Sequence, residues 1–544
     1  MRAVFLSSLA LSVSSPAWAC GGFFCDNSAP VLQAQERIVF AVDEDAGEVD
    51  VQVSIAYEGP SESFAWVVPV PAQPTLYTSS DELLTTLAAL TQPSYRLDQV
   101  YDGDCMVWEA LSSAGGTYPN ANDGVVVVDS GRVGPYETVT LQADSSAALV
   151  TWLQDNGFDL PSALDPKLAP YVSSGMYFVA LKLAKDADVG DLVPLGMRYP
   201  GSGISVPIQL TAVAALPDMR LEVYVFGASR AVPESYLHVV PNDLAVDWFD
   251  QTVAYEDVVS LAADEAGGQA FATDFSGSTE PFRGTLYQEG RYDLAALAAA
   301  PDAVAWMDQI IGQGFAPTTA LQEVLRIWLP LPPALAAQGV SETDWWNCLA
   351  CYPDYSGSFP FDAVAATADL EARVIQPLVD AEALLAAYPH LTRLTSSLDA
   401  VEMTVDPSFV WNAEMAQDVS PVHVATVTYH CQAQMDPAEA PRTVAFPGGY
   451  SVSLPSEADL QAQGISEYEY LQSLTAINAL VIEDTTSSGE AVTIYDGRSD
   501  LAALVDALNQ TFVQEAGCGC DQGGAGAMPV GALVGLALLA RRRR

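Results

Sequence analysis

The sequence predicts an α+β fold of two domains with largely antiparallel sheets and packed helices, followed by a C-terminal transmembrane helix. Three observations carry this. Runs of alternating apolar and polar residues, the period-two mark of strands, recur along the chain. Capped segments with helical spacing lie among them, without the regular strand–helix alternation of a parallel α/β fold. Finally, residues 523–540 carry no charge and end against Arg541, Arg542, Arg543 and Arg544.

The chain has 544 residues, half of them hydrophobic and 17% charged, which indicates globular material too long for one ordinary core. Residues 1–19 read as a secretory signal: Arg2, an apolar run through Val13, and the small-x-small triplet Ala17-Trp18-Ala19. Cleavage after Ala19 makes Cys20 the first mature residue. Bulky Trp18 argues against lipid attachment there.

The first α+β domain spans 20–330. Its strand VDVQVSI (49–55) alternates Val49, Val51, Val53 and Ile55 with polar residues, and pairs with 37–42 across the acidic turn 43–48. Residues 80–90 form a helix with Ser79 and Glu82 as a capping box, and 145–157 form another capped by Ser145. Strands follow at 177–183, 205–213 and 221–226, and helical signals dominate 255–328. A proline-rich linker, 331–344, separates the second α+β domain, 345–515. That domain carries a helix over 369–387, interrupted at Pro377, and strands near 423–429, 443–454 and 479–495. Residues 516–544 form a cysteine motif, a span and an arginine tail. Eighteen helical residues reach roughly 27 Å, enough for a thin bilayer, and the arginines stay on the cytoplasmic side.

Charge narrows the partners. With 69 acidic and 21 basic residues, net −48, the surface repels nucleic acid and anionic lipid. Asp43, Asp45, Glu48 and Asp50 crowd one hairpin turn and are the candidate metal ligands, for calcium, since oxygen-rich turns hold hard cations. An acidic turn left in water is the other reading, and no other cofactor is indicated.

Cys20, Cys25, Cys105, Cys348, Cys351 and Cys431 form an even set, as expected of disulfides in an oxidising compartment, and their pairing stays open. Cys20 and Cys25 are spaced for a local bridge. The Cys348-x-x-Cys351 pair is either a redox dithiol or a structural staple. Trp345, Trp346, Tyr352, Tyr355, Phe359 and Phe361 form either a stacking platform or a small core. His423 and His430, seven apart in one strand, face opposite sides, and His238 and His390 have no ligand pattern nearby. No zincin, P-loop, nucleophile-elbow or dinucleotide fingerprint occurs, so no catalytic residue is assigned.

Two resemblances add to this. CGGFFC (20–25), YEGPSESFAWVVPVPAQP (57–74), GPYETVTLQADSSAALVTWLQDNGFDLP (134–161) and YVSSGMYFVALKL (171–183) are similar to an uncharacterised family of exported bacterial proteins, domain of unknown function 2330, over roughly 20–330. It brings no catalytic residues. The tail, with Cys518, Cys520, the uncharged run and four arginines, resembles the MYXO-CTERM sorting signal. That resemblance implies export machinery, a transient membrane anchor, a membrane sorting protease cutting near Cys518 or Cys520, and transfer to the cell surface. The expected function is an exported, surface-anchored, non-enzymatic envelope or interaction protein with an extracellular partner. The alternatives are an exported hydrolase with dispersed catalytic residues and a thiol–disulfide protein. A concave pocket with converging carboxylates or a hydroxyl–histidine pair separates enzyme from scaffold.

Overall fold

The computed structural model describes residues 32–58, 65–105, 131–133, 136–156, 158, 164–183, 193–356 and 360–517. The signal segment with Ala19, the pair Cys20 and Cys25, and the tail with Cys518, Cys520 and Arg541 to Arg544 lie outside them.

With strands numbered along the chain, a ten-stranded sheet runs β21 (Val492–Asp496), β20 (Ala479–Asp484), β13 (Leu237–Pro241), β14 (Ala270–Ser278), β15 (His390–Leu398), β11 (Ala215–Gly227), β1 (Leu32–Asp43), β2 (Glu48–Glu58), β9 (Leu195–Pro200), β4 (Thr75–Thr78). Within it β1–β11 and β13–β14 are parallel, and the other neighbours are antiparallel. Three smaller sheets surround it. One joins β10 (Ile204–Ser205), β16 (Ser408–Trp411) and β12 (Ala231–Pro233). A second joins β19 (Ser451–Leu454), β18 (Arg442–Ala445), β17 (Val422–Met435) and β5 (Ser94–Cys105). The third joins β3 (Ala65–Val70), β8 (Tyr177–Leu183), β7 (Tyr136–Gln142) and β6 (Gly131–Val133).

The expected β1–β2 hairpin forms, with Val42 opposite Val49. Its turn places Gly47 at φ +64°, a left-handed conformation that favours glycine. Period two then divides β1 between two cores. Ile38, Phe40 and Val42 pack with Val51, Val53, Trp66 and Val68. Val39 and Ala41 pack with Leu83 and Leu87 of the helix Asp81–Thr91, and with Leu385 of the helix Gln376–Ala387. A strand covered on both faces is sealed from water, so the middle of the sheet is rigid scaffold.

Between β14 and β15 the chain leaves the sheet to build a helical layer around Trp306 and Trp345, with helices Ala303–Gly312, Thr319–Trp328 and Ala363–Leu370. The proline-rich stretch belongs to it: Leu335 in the short helix Pro333–Ala336 is buried. The expected split at 331–344 therefore does not divide the sheet, since β15 returns between β14 and β11. Pro377 interrupts the long helix as expected, and a π-turn, Glu371–Ile375, absorbs it. The strand expected over 205–213 is instead the two-residue β10 followed by the helix Ile208–Thr211.

The mixed α+β class holds, but the C-terminal transmembrane helix does not. Among the described residues no helix is long and apolar enough to cross a membrane. The last helix, Arg498–Gly517, contains Arg498, Asp500, Asp506 and Glu515, which hydrocarbon would not accommodate. It lays Leu501, Val505 and Leu508 on a protein core instead. The uncharged run 523–540 lies outside the described residues.

Candidate functional site

The carboxylates singled out in the sequence do not assemble a metal site. The Asp43 side chain accepts the Ala46 N–H at 2.8 Å and closes its own turn, and Asp45 is exposed. Glu48 and Asp50, two residues apart, share a face of β2 and both meet Arg198 of β9, at 3.3 and 2.7 Å. The guanidinium supplies the positive charge that calcium was expected to bring. Among the described residues no group of three or more histidine, cysteine or acidic side chains is placed to hold a metal.

The described cysteines form two bridges, Cys105–Cys431 and Cys348–Cys351. Cys348 caps the C-terminal end of the helix Glu342–Asn347. That is the negative end of the helix dipole, which disfavours a thiolate, whereas reactive pairs sit at helix starts. Trp345 and Trp346 are buried, and both indole N–H groups donate to the Leu329 carbonyl, at 2.9 and 3.0 Å. They are core, with Tyr352, Tyr355 and Phe361 packed against them. Phe359 lies outside the described residues.

The polar residues that converge are others. A cleft of about 540 Å³ opens where the β13–β14–β20 end of the large sheet faces β17 and the loop before it. Arg230, His238, Thr273, Asp274, His423 and Glu483 line it. His238 stands directly opposite Glu483 across the antiparallel β13–β20 pair. Its Nδ1 is 3.2 Å from Glu483 Oε2, and its Nε2 is 3.0 Å from Thr273 Oγ1 on the next strand. Burial holds His238 below the usual histidine range, and the Arg230 charge adds to this against the pull of Glu483. Glu483 stays ionised because it accepts from His238. A neutral imidazole beside a carboxylate carries its proton on Nδ1 and presents Nε2 as a base.

Arg230 closes one wall. It is 5% exposed, and its Nη2 donates to Thr273 Oγ1 at 3.0 Å and lies 3.3 Å from His238 Nε2. Its Nη1 donates to the Ala416 carbonyl, and among the described residues its buried Nε has no hydrogen-bond partner and no carboxylate is bonded to the guanidinium. Opposite, His423 on β17 pairs with Asp243 at 3.0 Å, stacked on Tyr95, whose hydroxyl donates to the same carboxylate at 2.9 Å.

Thr273 and Asp274 are consecutive yet both line the cleft, although neighbours in a regular strand face opposite sides. The β14–β15 register shifts between Thr273 and Phe275, and such a bulge re-aims side chains. Asp274 accepts from the Tyr255 hydroxyl at 2.8 Å and from Thr395, and pairs with Arg393 at 3.0 Å, although that N–H is not aligned as a hydrogen bond. Burial pushes Asp274 up, opposed by Arg393. Arg393 also meets Glu222, which Arg37 approaches from outside at 3.2 Å.

Residues 14–282 match a family described as an uncharacterized protein conserved in bacteria, DUF2330. That stretch of the chain belongs to this family. No curated protein matches the chain. The DUF2330 region ends just after β14, so Arg230, His238, Thr273 and Asp274 lie inside it. Glu483, His423 and Arg393 come from beyond it, and the cleft is complete only where the DUF2330 region meets the C-terminal strands. Sequence reading passed over these residues because their partners are remote: His238 and Glu483 are 245 positions apart. The one local signal was a histidine within an apolar strand.

Proposed function

We propose that this is an exported protein that captures a small cationic molecule in the cleft around His238 and Glu483. One observation carries the reading: a polar cavity of about 540 Å³ whose two histidines are each held by a carboxylate, with Glu414 and Glu490 exposed at its rim. Among the described residues Arg230 is the one lysine or arginine lining it, against Asp243, Asp274, Glu414, Glu483 and Glu490, so an amine is favoured over an anion. Export is supported by the signal-like first 19 residues and by two disulfides, which persist in oxidising compartments. Handling by export machinery, and trimming near Cys518 or Cys520 by a sorting protease, belong to the same reading.

Calorimetric titration with spermidine, and with glutarate as an anionic comparator, tests it. Spermidine should bind wild type, and E414Q/E490Q should weaken it about tenfold, the effect of about 1.4 kcal/mol. Equal binding of glutarate, or no loss in the double variant, would contradict the proposal. Envelope fractionation with mapping of the mature N-terminus checks export; a full-length, reduced protein in the cytosol would count against it.

A further inference from the structure

We infer that Thr273 is an acyl acceptor in this cleft, with His238 Nε2 as its base and Glu483 as the carboxylate that orients the imidazole. The inference rests on the reading of the cleft as a site for a cationic molecule and adds a reaction to it. The chain Glu483 Oε2, His238 Nδ1, His238 Nε2, Thr273 Oγ1 is continuous, at 3.2 and 3.0 Å, across three adjacent strands. A hydroxyl is a weak nucleophile until a neighbouring base takes its proton, and the base needs a third group to fix its tautomer. All three parts are present, mounted on a sheet rather than on loops.

Arg230 supplies the fourth part. Its Nη2 donates to Thr273 Oγ1 at 3.0 Å, so negative charge that develops beside this oxygen meets a buried guanidinium that feels the charge of Glu483 but is bonded to no carboxylate among the described residues. A low-dielectric setting strengthens such a contact. The bulge falls at Asp274, directly after Thr273, and both residues line the cavity; bulges are used beside active sites. Two other hydroxyl–imidazole pairs occur among the described residues, and neither has all of these parts. Thr443 Oγ1 lies 2.9 Å from His430 Nε2, with Asp102 3.4 Å from Nδ1, but the His430–Asp102 pair is exposed, the set lies outside the cleft, and no arginine among the described residues is bonded to the hydroxyl. Ser276 Oγ and His390 Nε2 are 2.8 Å apart, but neither lines the cleft, and among the described residues no carboxylate is bonded to the imidazole.

In the step, the Thr273 oxygen forms a bond to the carbonyl carbon of an ester while its proton passes to His238 Nε2. The ester C–O bond breaks, the leaving oxygen takes the proton from His238, and the acyl group stays on Thr273. Water then repeats the sequence and releases a carboxylic acid. No oxidant, reductant or metal enters. With acceptor and base deep in the cleft and Glu414 and Glu490 at the rim, the substrate class is an ester whose acyl group carries a protonated amine.

The test treats the full protein with glycine p-nitrophenyl ester and with p-nitrophenyl acetate, following p-nitrophenol release and mapping the modified peptide by mass. The expected result is a burst of about one equivalent with a glycyl group on Thr273, and a faster reaction for the glycyl ester. H238N and T273V should slow the burst at least 100-fold, within the range of general-base contributions. T273S should restore it, and S276A should leave it unchanged. A wild-type protein with no burst, a burst that survives in T273V, or a label on another residue overturns the inference. Spermidine binding separates the two failures: binding without acylation removes only the chemistry, whereas loss of both removes the ligand site as well.

Discussion

Cys105 and Cys431 are bridged across 326 positions, with their Cα atoms 5.3 Å apart at the end of the parallel β5–β17 pair. The bridge ties a strand of the DUF2330 region to the C-terminal half, within the sheet that carries His423. A cross-link that closes a long loop removes more unfolded-state entropy than a short one. C105S/C431S should therefore cost about 2–4 kcal/mol, against a much smaller loss for C348S/C351S, whose loop spans a separation of 3. Urea unfolding of both variants provides the comparison.

Arg393 is the second weak point. It is 4% exposed and meets Asp274 and Glu222, themselves buried, so its removal leaves Asp274 without a cationic partner among the described residues and Glu222 with Arg37 alone. Replacing one partner of a buried pair typically costs about 3–5 kcal/mol. R393M should destabilise on that scale, and R393M/E222Q/D274N should recover much of the loss because no buried charge is left uncompensated, Arg37 being partly exposed. Equal instability of the single and triple variants would show that shape, not charge, holds this site.

Trp345 tests the helical layer. Its side chain is 1% exposed and its indole N–H is bonded to the Leu329 carbonyl, so W345A leaves a cavity and one hydrogen bond fewer, with Trp346 still donating to that carbonyl. A loss of about 3–5 kcal/mol is expected, read as a lower melting temperature. A variant that melts like wild type would return this cluster to the surface.

How much of this was legible follows the burial pattern. The β1–β2 hairpin, the strand 177–183 and the helix capped by Ser145 were readable because their alternation or caps are local. The helix at Asp81–Thr91 was readable too, but its cap is Ser80 rather than Ser79. The two strands that build the cleft and its floor were not. In β15, Thr392, Arg393, Thr395 and Ser396 are all buried, which inverts the rule that polar residues face water. In β14, AFATDFSGS is covered on both faces, and its small residues gave no period to set against neighbouring helical signals. The site therefore lies where local pattern and tertiary use disagree, as expected of functional positions.

Acid stability is the fourth consequence. Burial lowers both His238 and His390 from the ordinary histidine value. The unfolded chain then binds protons first as pH falls, so stability is complete above roughly pH 6.5 and declines below it toward the folded-state values. H238N should lose less stability than wild type between pH 7.5 and pH 5.5, measured by thermal melts in matched salt. Parallel profiles would show that His238 protonates equally in both states.

The most direct measurement is the ¹⁵N spectrum of the His238 imidazole in the intact protein, assigned by its absence from H238N and followed through a pH titration. A neutral ring with its proton on Nδ1, titrating well below the ordinary histidine value of about 6.5, is the predicted result. A ring that titrates at that ordinary value, or carries its proton on Nε2, would contradict a cleft built around a base held by Glu483.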